Sequence, residues 1–141
     1  MPKYRQLHIK ILDSFDFAEM PDDFTRVVWL LLIAVVDSEG RGIDNPAWLR
    51  SKMFPLRHDV ELSQIEATMG WLGNRGMVER YEVGGKYYFQ IRTWKTYQTG
   101  SDKEGKSVLP APQTIEIVTP EPLQSNSGAS TPQYNTIQNN T

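Results

Sequence analysis

Apolar positions change their spacing several times along the chain, and each change predicts a different element. Over residues 4–12 they alternate, with Leu7, Ile9 and Ile11 on one side and Gln6, His8 and Lys10 on the other. That is the period of a half-buried strand, with His8 on its solvated side. A polar loop over 13–21 follows, interrupted by Phe15, Phe17 and Met20. Residues 27–36 are then apolar without a break, within a helix predicted over about 24–36. Asp22 and Asp23 supply its cap and negative charge at its positive end. Its apolar surface runs nearly all the way round, so the helix should be enclosed by other elements.

Asp37-Ser38-Glu39-Gly40-Arg41-Gly42 ends that run, and residues 41–44 suit a short strand. Asn45-Pro46 signals the next helix, since Asn45 can cap and proline at the first helical position sacrifices no hydrogen bond. This helix should run to about Phe54 and stop at Pro55, with Trp48, Leu49 and Met53 inward and Arg50 and Lys52 outward. A connection carrying Arg57 and His58 leads to a third helix over residues 63–76. Ser63-Gln64-Ile65-Glu66 reads as its capping box and Gly76 as its left-handed end. Ile65, Met69 and Leu72 form its inner stripe, leaving Gln64, Ala67, Thr68 and Trp71 on the far face.

Beyond Gly76 the period returns to two. Gly84-Gly85 joins residues 77–83 to 86–92 and predicts a two-residue hairpin, because such turns need positive φ. Counting back from the turn pairs Val83 with Lys86, Tyr81 with Tyr88, Arg80 with Phe89 and Val78 with Ile91. Trp94 and Tyr97 should fold back onto the sheet. From residue 99 the chain is rich in Ser, Asn, Thr, Gln, Gly and Pro, a composition that cannot offset chain entropy by burial. The predicted organisation is therefore an α+β winged helix-turn-helix over residues 1–98, with a three-helix core and a small antiparallel sheet as its wing, followed by a disordered low-complexity tail over 99–141. Residues 114–118 (Thr-Ile-Glu-Ile-Val) form an apolar island within that tail.

Composition narrows the chemistry. With no cysteine among the 141 residues, disulfides, thiolate metal sites and a cysteine nucleophile are excluded. Two histidines far apart suggest no metal site. No glycine-rich phosphate loop or serine-elbow motif is present, so no catalytic residue, cofactor or enzymatic activity is expected. The ten-residue apolar run is too short for a membrane span. The amino terminus lacks the apolar stretch of a secretory signal, and a cytoplasmic location is expected. Charge is uneven: residues 1–40 carry four basic and seven acidic side chains, residues 41–98 nine and six, and the remainder two and four. The basic excess falls on the predicted helix-turn-helix and hairpin, as a weak phosphate-facing surface requires.

Several strings within residues 4–98 resemble the winged-helix domain of phage replication proteins, the amino-terminal module of DnaD-like primosome components and replisome organisers. They are Asp37-Ser38-Glu39-Gly40-Arg41-Gly42, Asn45-Pro46-Ala47-Trp48-Leu49, Trp71-Leu72, Gly76-Met77-Val78-Glu79-Arg80-Tyr81 and Ile91-Arg92-Thr93-Trp94-Lys95-Thr96-Tyr97-Gln98. The resemblance implies a role in replication initiation or helicase loading, through DNA binding and self-association. Longer relatives carry a second domain that the tail does not resemble.

Two functional expectations follow. In the first, Arg50, Lys52, Arg57, His58, Arg75, Arg80 and Lys86 meet the phosphates of duplex DNA, giving weak, largely non-specific binding, and Gln64 and Thr68 reach base edges. Glu61 and Glu66 beside the third helix oppose that approach. In the second, the domain is an interaction or dimerisation module of a replication or transcription complex, with Tyr4, Trp71, Tyr87 and Tyr88 at its interface. Partners in either case include a second copy, a helicase loader or another replication protein, and no membrane.

Overall fold

The computed structural model describes residues 4–98 and 105–113. Its architecture is α+β: among the described residues, five α-helices and one 3-10 turn accompany a three-stranded antiparallel sheet. A 3-10 turn over Ile9–Asp13 leads into α1 (Phe15–Ala18) and α2 (Asp23–Val35). Strand β1 (Arg41–Ile43), helices α3 (Pro46–Met53) and α4 (Leu62–Arg75), strands β2 (Val78–Val83) and β3 (Lys86–Ile91) and helix α5 (Trp94–Tyr97) follow.

Local chemistry explains the main boundaries. Asp22 starts α2 by accepting from the Thr25 N–H (2.8 Å) and hydroxyl (2.6 Å), contacts that hold its carboxyl below the usual range. Arg26, one turn further on, donates to the carbonyls of Phe17, Ala18 and Met20 and so closes α1. Asn45 accepts from Trp48 N–H at 3.0 Å and Pro46 fills the first turn of α3. Gly76, at φ +81°, ends α4 as expected; its N–H reaches Gly73 O and that of Met77 reaches Leu72 O, the paired bonds of a Schellman motif.

The sheet order is β1-β3-β2, and the hairpin register matches the count from Gly84-Gly85 at each of its predicted pairs. Val78, Phe89 and Ile91 line the inner face and join Val28, Leu32, Leu49, Ile65, Met69 and Leu72 in one core. Gly40 makes this closure possible. It sits at φ +78°, and a Cβ there would lie 2.7 Å from the Trp94 ring, whose indole N–H donates to Ser38 O. Arg41, Ile43, Tyr81, Tyr88 and Gln90 line the opposite face, and all are half-buried.

Four expectations are corrected. Residues 4–12 form no strand: Leu7 and Ile9 are exposed, and the segment is tied down by Arg5, which donates to Ile33 O and Val36 O, and by Gln6, paired with Gln98. Helix α2 is not enclosed, since Val27 and Leu30 are 43% and 37% exposed. The box that starts α4 is Glu61 with Gln64, whose side chain accepts from Glu61 N–H at 2.7 Å, so Ser63 lies inside the first turn. Glu66 is unavailable for capping because it pairs with Arg80 on β2. Finally, residues 105–113 lie against the sheet although they fall within the tail expected to be disordered. The apolar island at 114–118 and the rest of the tail lie outside the described residues.

Candidate nucleic-acid interface

The connection between α3 and α4 is where three of the predicted phosphate-contacting residues converge. Arg50, Arg57 and His58, with Ala47, Ser51, Phe54 and Pro55, line an open depression of about 430 Å³. Arg50 projects from the last turn of α3 and donates to Val60 O (3.2 Å), which fixes the connection while leaving the guanidinium half-exposed. Arg57 lies over the Phe54 ring and holds Asp59 through two bonds of 2.8 and 2.7 Å. The guanidinium holds the Asp59 carboxyl down at about 2, so the pair stays ionised at neutral pH. Both partners are well exposed, so solvent screens the pair and leaves Arg57 able to exchange partners. Lys52 stands on the same helix as Arg50, over the Trp48 ring at 5.7 Å, with no carboxylate partner among the described residues.

Arg75 and Arg80 belong elsewhere. Arg75 lies over the Trp71 ring and pairs with Asp16 (2.9 Å) and Glu19, so it fastens α4 to α1. Arg80 donates to Asp44 through Nε (2.6 Å) and Nη2 (3.1 Å) and to Glu66 (3.0 Å), which joins β2 to the end of β1 and to α4. The Asp44 side chain is only 4% exposed. Burial raises its pKa despite the opposing pull of Arg80. Each of these arginines faces two carboxylates, so neither offers net positive charge to a phosphate.

Helix α4 has little with which to read bases. Thr68 is buried, 4% exposed, alongside Ile65, Met69 and Leu72; the expectation that it lies on the outer face is corrected. Residues at spacings of three, four and seven share one face, and 65, 68 and 72 satisfy that rule as well as 65, 69 and 72. Gln64 is exposed, but its side-chain oxygen is occupied by the Glu61 N–H. At the hairpin, Lys86 is exposed next to the Gly84-Gly85 turn and has no acidic partner among the described residues.

The expected interface aromatics divide. Tyr4 is 86% exposed and Tyr87 is exposed beside Lys86, whereas Trp71 packs half-buried on the core and Tyr88 stands beside Tyr81 with ring centroids 5.8 Å apart. Further exposed apolar side chains were not singled out from the sequence: Leu7, Ile9, Leu12 and Phe15 in the amino-terminal segment, and Val27 and Leu30 on α2. Only the absence of a buried partner marks these residues, and that is a property of the fold. Among the described residues no cluster of His, Asp and Glu is arranged to hold a metal ion, and no helix is long and apolar enough to cross a membrane. No protein-family model, no curated protein and no solved structure matches this chain.

Proposed function

We propose that residues 4–98 are a winged-helix module of a DNA replication-initiation complex that holds duplex DNA weakly through its phosphates. The element order α2-β1-α3-α4-β2-β3, with β1 added to the edge of the hairpin, supports the winged-helix assignment, as do the strings that resemble those of phage replication proteins. The observation that carries DNA contact is the convergence of Arg50, Arg57 and His58 on one open depression, with Lys52 on the same helix. Lys86 at the hairpin tip adds a further charge. Such contacts give affinity without sequence information, in the range of about 10⁻⁴ to 10⁻⁶ M. Thr68 inside and Gln64 engaged in a cap argue against base reading by α4.

The test is a fluorescence-anisotropy titration of the full chain against a labelled duplex at low and high salt. Binding that weakens steeply with salt and does not depend on duplex sequence is the expected result. No binding at low salt refutes the proposal.

A second reading is favoured by a separate observation, the exposure of Leu7, Ile9, Leu12 and Phe15 in the amino-terminal segment and of Val27 and Leu30 on α2. Contiguous apolar surface on a folded domain marks a protein contact. In this reading the module associates with a second copy or a replication partner and has little DNA contact of its own.

A further inference from the structure

The face of the sheet turned away from the core is covered by residues 105–113 in a one-sided way. Ser107, Leu109, Pro110 and Pro112 are half-buried, whereas Lys106, Val108, Ala111 and Gln113 are exposed. Three main-chain carbonyls of the segment accept hydrogen bonds from side chains of the domain. Ser38 Oγ donates to Gly105 O (2.7 Å), Arg41 Nη1 to Leu109 O (3.2 Å) and the Tyr81 hydroxyl to Pro110 O (2.7 Å). The Ser107 hydroxyl donates to the Asp37 carboxylate.

This is recognition by carbonyl capture. Among the described residues this strap donates no N–H to the domain: the Leu109 N–H bonds to Ser107 within the strap itself, so prolines at 110 and 112 sacrifice nothing. The segment bends at Leu109, where the Ser107 hydroxyl accepts from the Leu109 N–H, and Ala111, before Pro112, holds a position biased toward extended backbone. Aromatic and hydroxyl donors on a concave or flat face that take up the carbonyls of a proline-containing segment are the chemistry of polyproline-type peptide recognition. Tyr81 and Tyr88, on neighbouring strands, provide the aromatic pair.

We propose that the outer face of the sheet is a recognition surface for a proline-containing peptide segment, and that residues 105–113 are its tethered ligand. The tether is short, six residues separating Gln98 from Gly105. A short linker gives an effective concentration of about 1 mM. A free peptide of the same chemistry binding with a Kd of about 10 μM therefore competes at a disadvantage of about 100-fold until the strap is released. The surface is separate from the α3–α4 depression, so this inference stands whether or not the domain binds DNA.

The experiment uses the full chain and a fluorescein-labelled peptide with the sequence of residues 105–113. The host is the double variant Ser107→Asp, Leu109→Asp, which sets a carboxylate against Asp37 and removes the half-buried leucine without altering the domain. The peptide should bind this variant about 100-fold more tightly than wild type, and adding Tyr81→Phe should weaken that binding by about tenfold, because only the hydroxyl donor to the proline carbonyl is lost. Thermal melts of both variants against the wild type establish that the domain is folded. Equal affinity for wild type and variant overturns occupancy by the strap, and absence of binding to the folded variant overturns the recognition surface itself. As an independent measurement, trypsin cleavage after Lys106 in the otherwise unaltered chain should accelerate several-fold with Tyr81→Phe; an unchanged rate contradicts docking through that hydroxyl.

Discussion

Replacing Arg80 by methionine tests whether this arginine is a brace or a DNA contact. Its guanidinium is the counter-charge for Asp44, whose side chain is almost fully buried, and for Glu66, which is half-exposed. Methionine keeps the apolar stem but leaves the Asp44 carboxylate in a poorly solvated site. Removing one member of a buried pair costs about 3–5 kcal/mol, and because Arg80 is itself 29% exposed the lower end applies, about 3 kcal/mol. For a domain of this size that lowers Tm by about 12–24 °C.

The partner residues give the internal control. Glu66→Gln removes only the exposed arm of the network and should cost less than about 1 kcal/mol, whereas adding Asp44→Asn to Arg80→Met removes the stranded charge and should restore most of the loss. The pH dependence has a definite sign. Burial already raises the pKa of Asp44, and loss of Arg80 raises it further above its unfolded value. Protonation therefore favours the folded variant, so its deficit should shrink as pH falls from 7 and reappear as pH rises through the folded-state pKa. Urea unfolding followed by tryptophan fluorescence, between pH 4 and 7, measures each quantity. A cost below about 1 kcal/mol at pH 7, or a deficit that grows on acidification, refutes the assignment of Arg80 as a buried brace.

Other outcomes follow from the same contacts. Glu61→Ala should destabilise α4 by about 1 kcal/mol while Ser63→Ala changes stability by less than about 0.5 kcal/mol, since the capping box uses the former residue; thermal unfolding distinguishes them. The phenol of Tyr81 is pushed up to about 12 by burial, so its proton prefers the folded state: stability from this group is present below about pH 10 and lost as pH rises towards 12. Difference absorbance of wild type against Tyr81→Phe should show that late-titrating phenol, and its absence contradicts the half-buried position. If the exposed apolar surface associates, Leu12→Asp with Phe15→Ser should abolish concentration-dependent sedimentation without lowering Tm; unchanged association argues against this surface.

What could be foreseen from sequence, and what could not, divides by the range of the interactions. Asp22, Asn45, Gly76 and the Gly84-Gly85 turn act on backbone within a few residues, so their signals were sufficient, and the hairpin register followed from the turn alone. The amino-terminal alternation misled because period two becomes a strand only where the segment pairs with a sheet edge, and residues 4–12 pair with neither edge strand. Here the segment is held by Arg5 on the carboxyl-terminal carbonyls of α2 and by Gln6 on Gln98. The charge map misled for a similar reason. Arg75 meets Asp16 and Glu19, and Arg80 meets Asp44, across spans of 36 to 59 residues that no local pattern encodes. Those pairings move the candidate phosphate surface away from α4 and the body of the wing to the α3–α4 connection and the hairpin tip. The seating of residues 105–113 was equally invisible, because carbonyl capture by Ser38, Arg41 and Tyr81 leaves no mark on the composition of the segment captured.

The salt dependence of duplex binding, measured for the wild type and for single substitutions, tests the central proposal most directly. Three or four phosphate contacts from Arg50, Lys52, Arg57 and Lys86 predict a slope of log K against log salt concentration of about −3. Lys52→Ala, Arg57→Ala and Lys86→Ala should each make the slope shallower by about 1, and the stability-compensated Arg80→Met, Asp44→Asn variant should leave it unchanged. A slope near zero, or one that responds to Arg80 and not to Lys52, Arg57 or Lys86, contradicts the proposal.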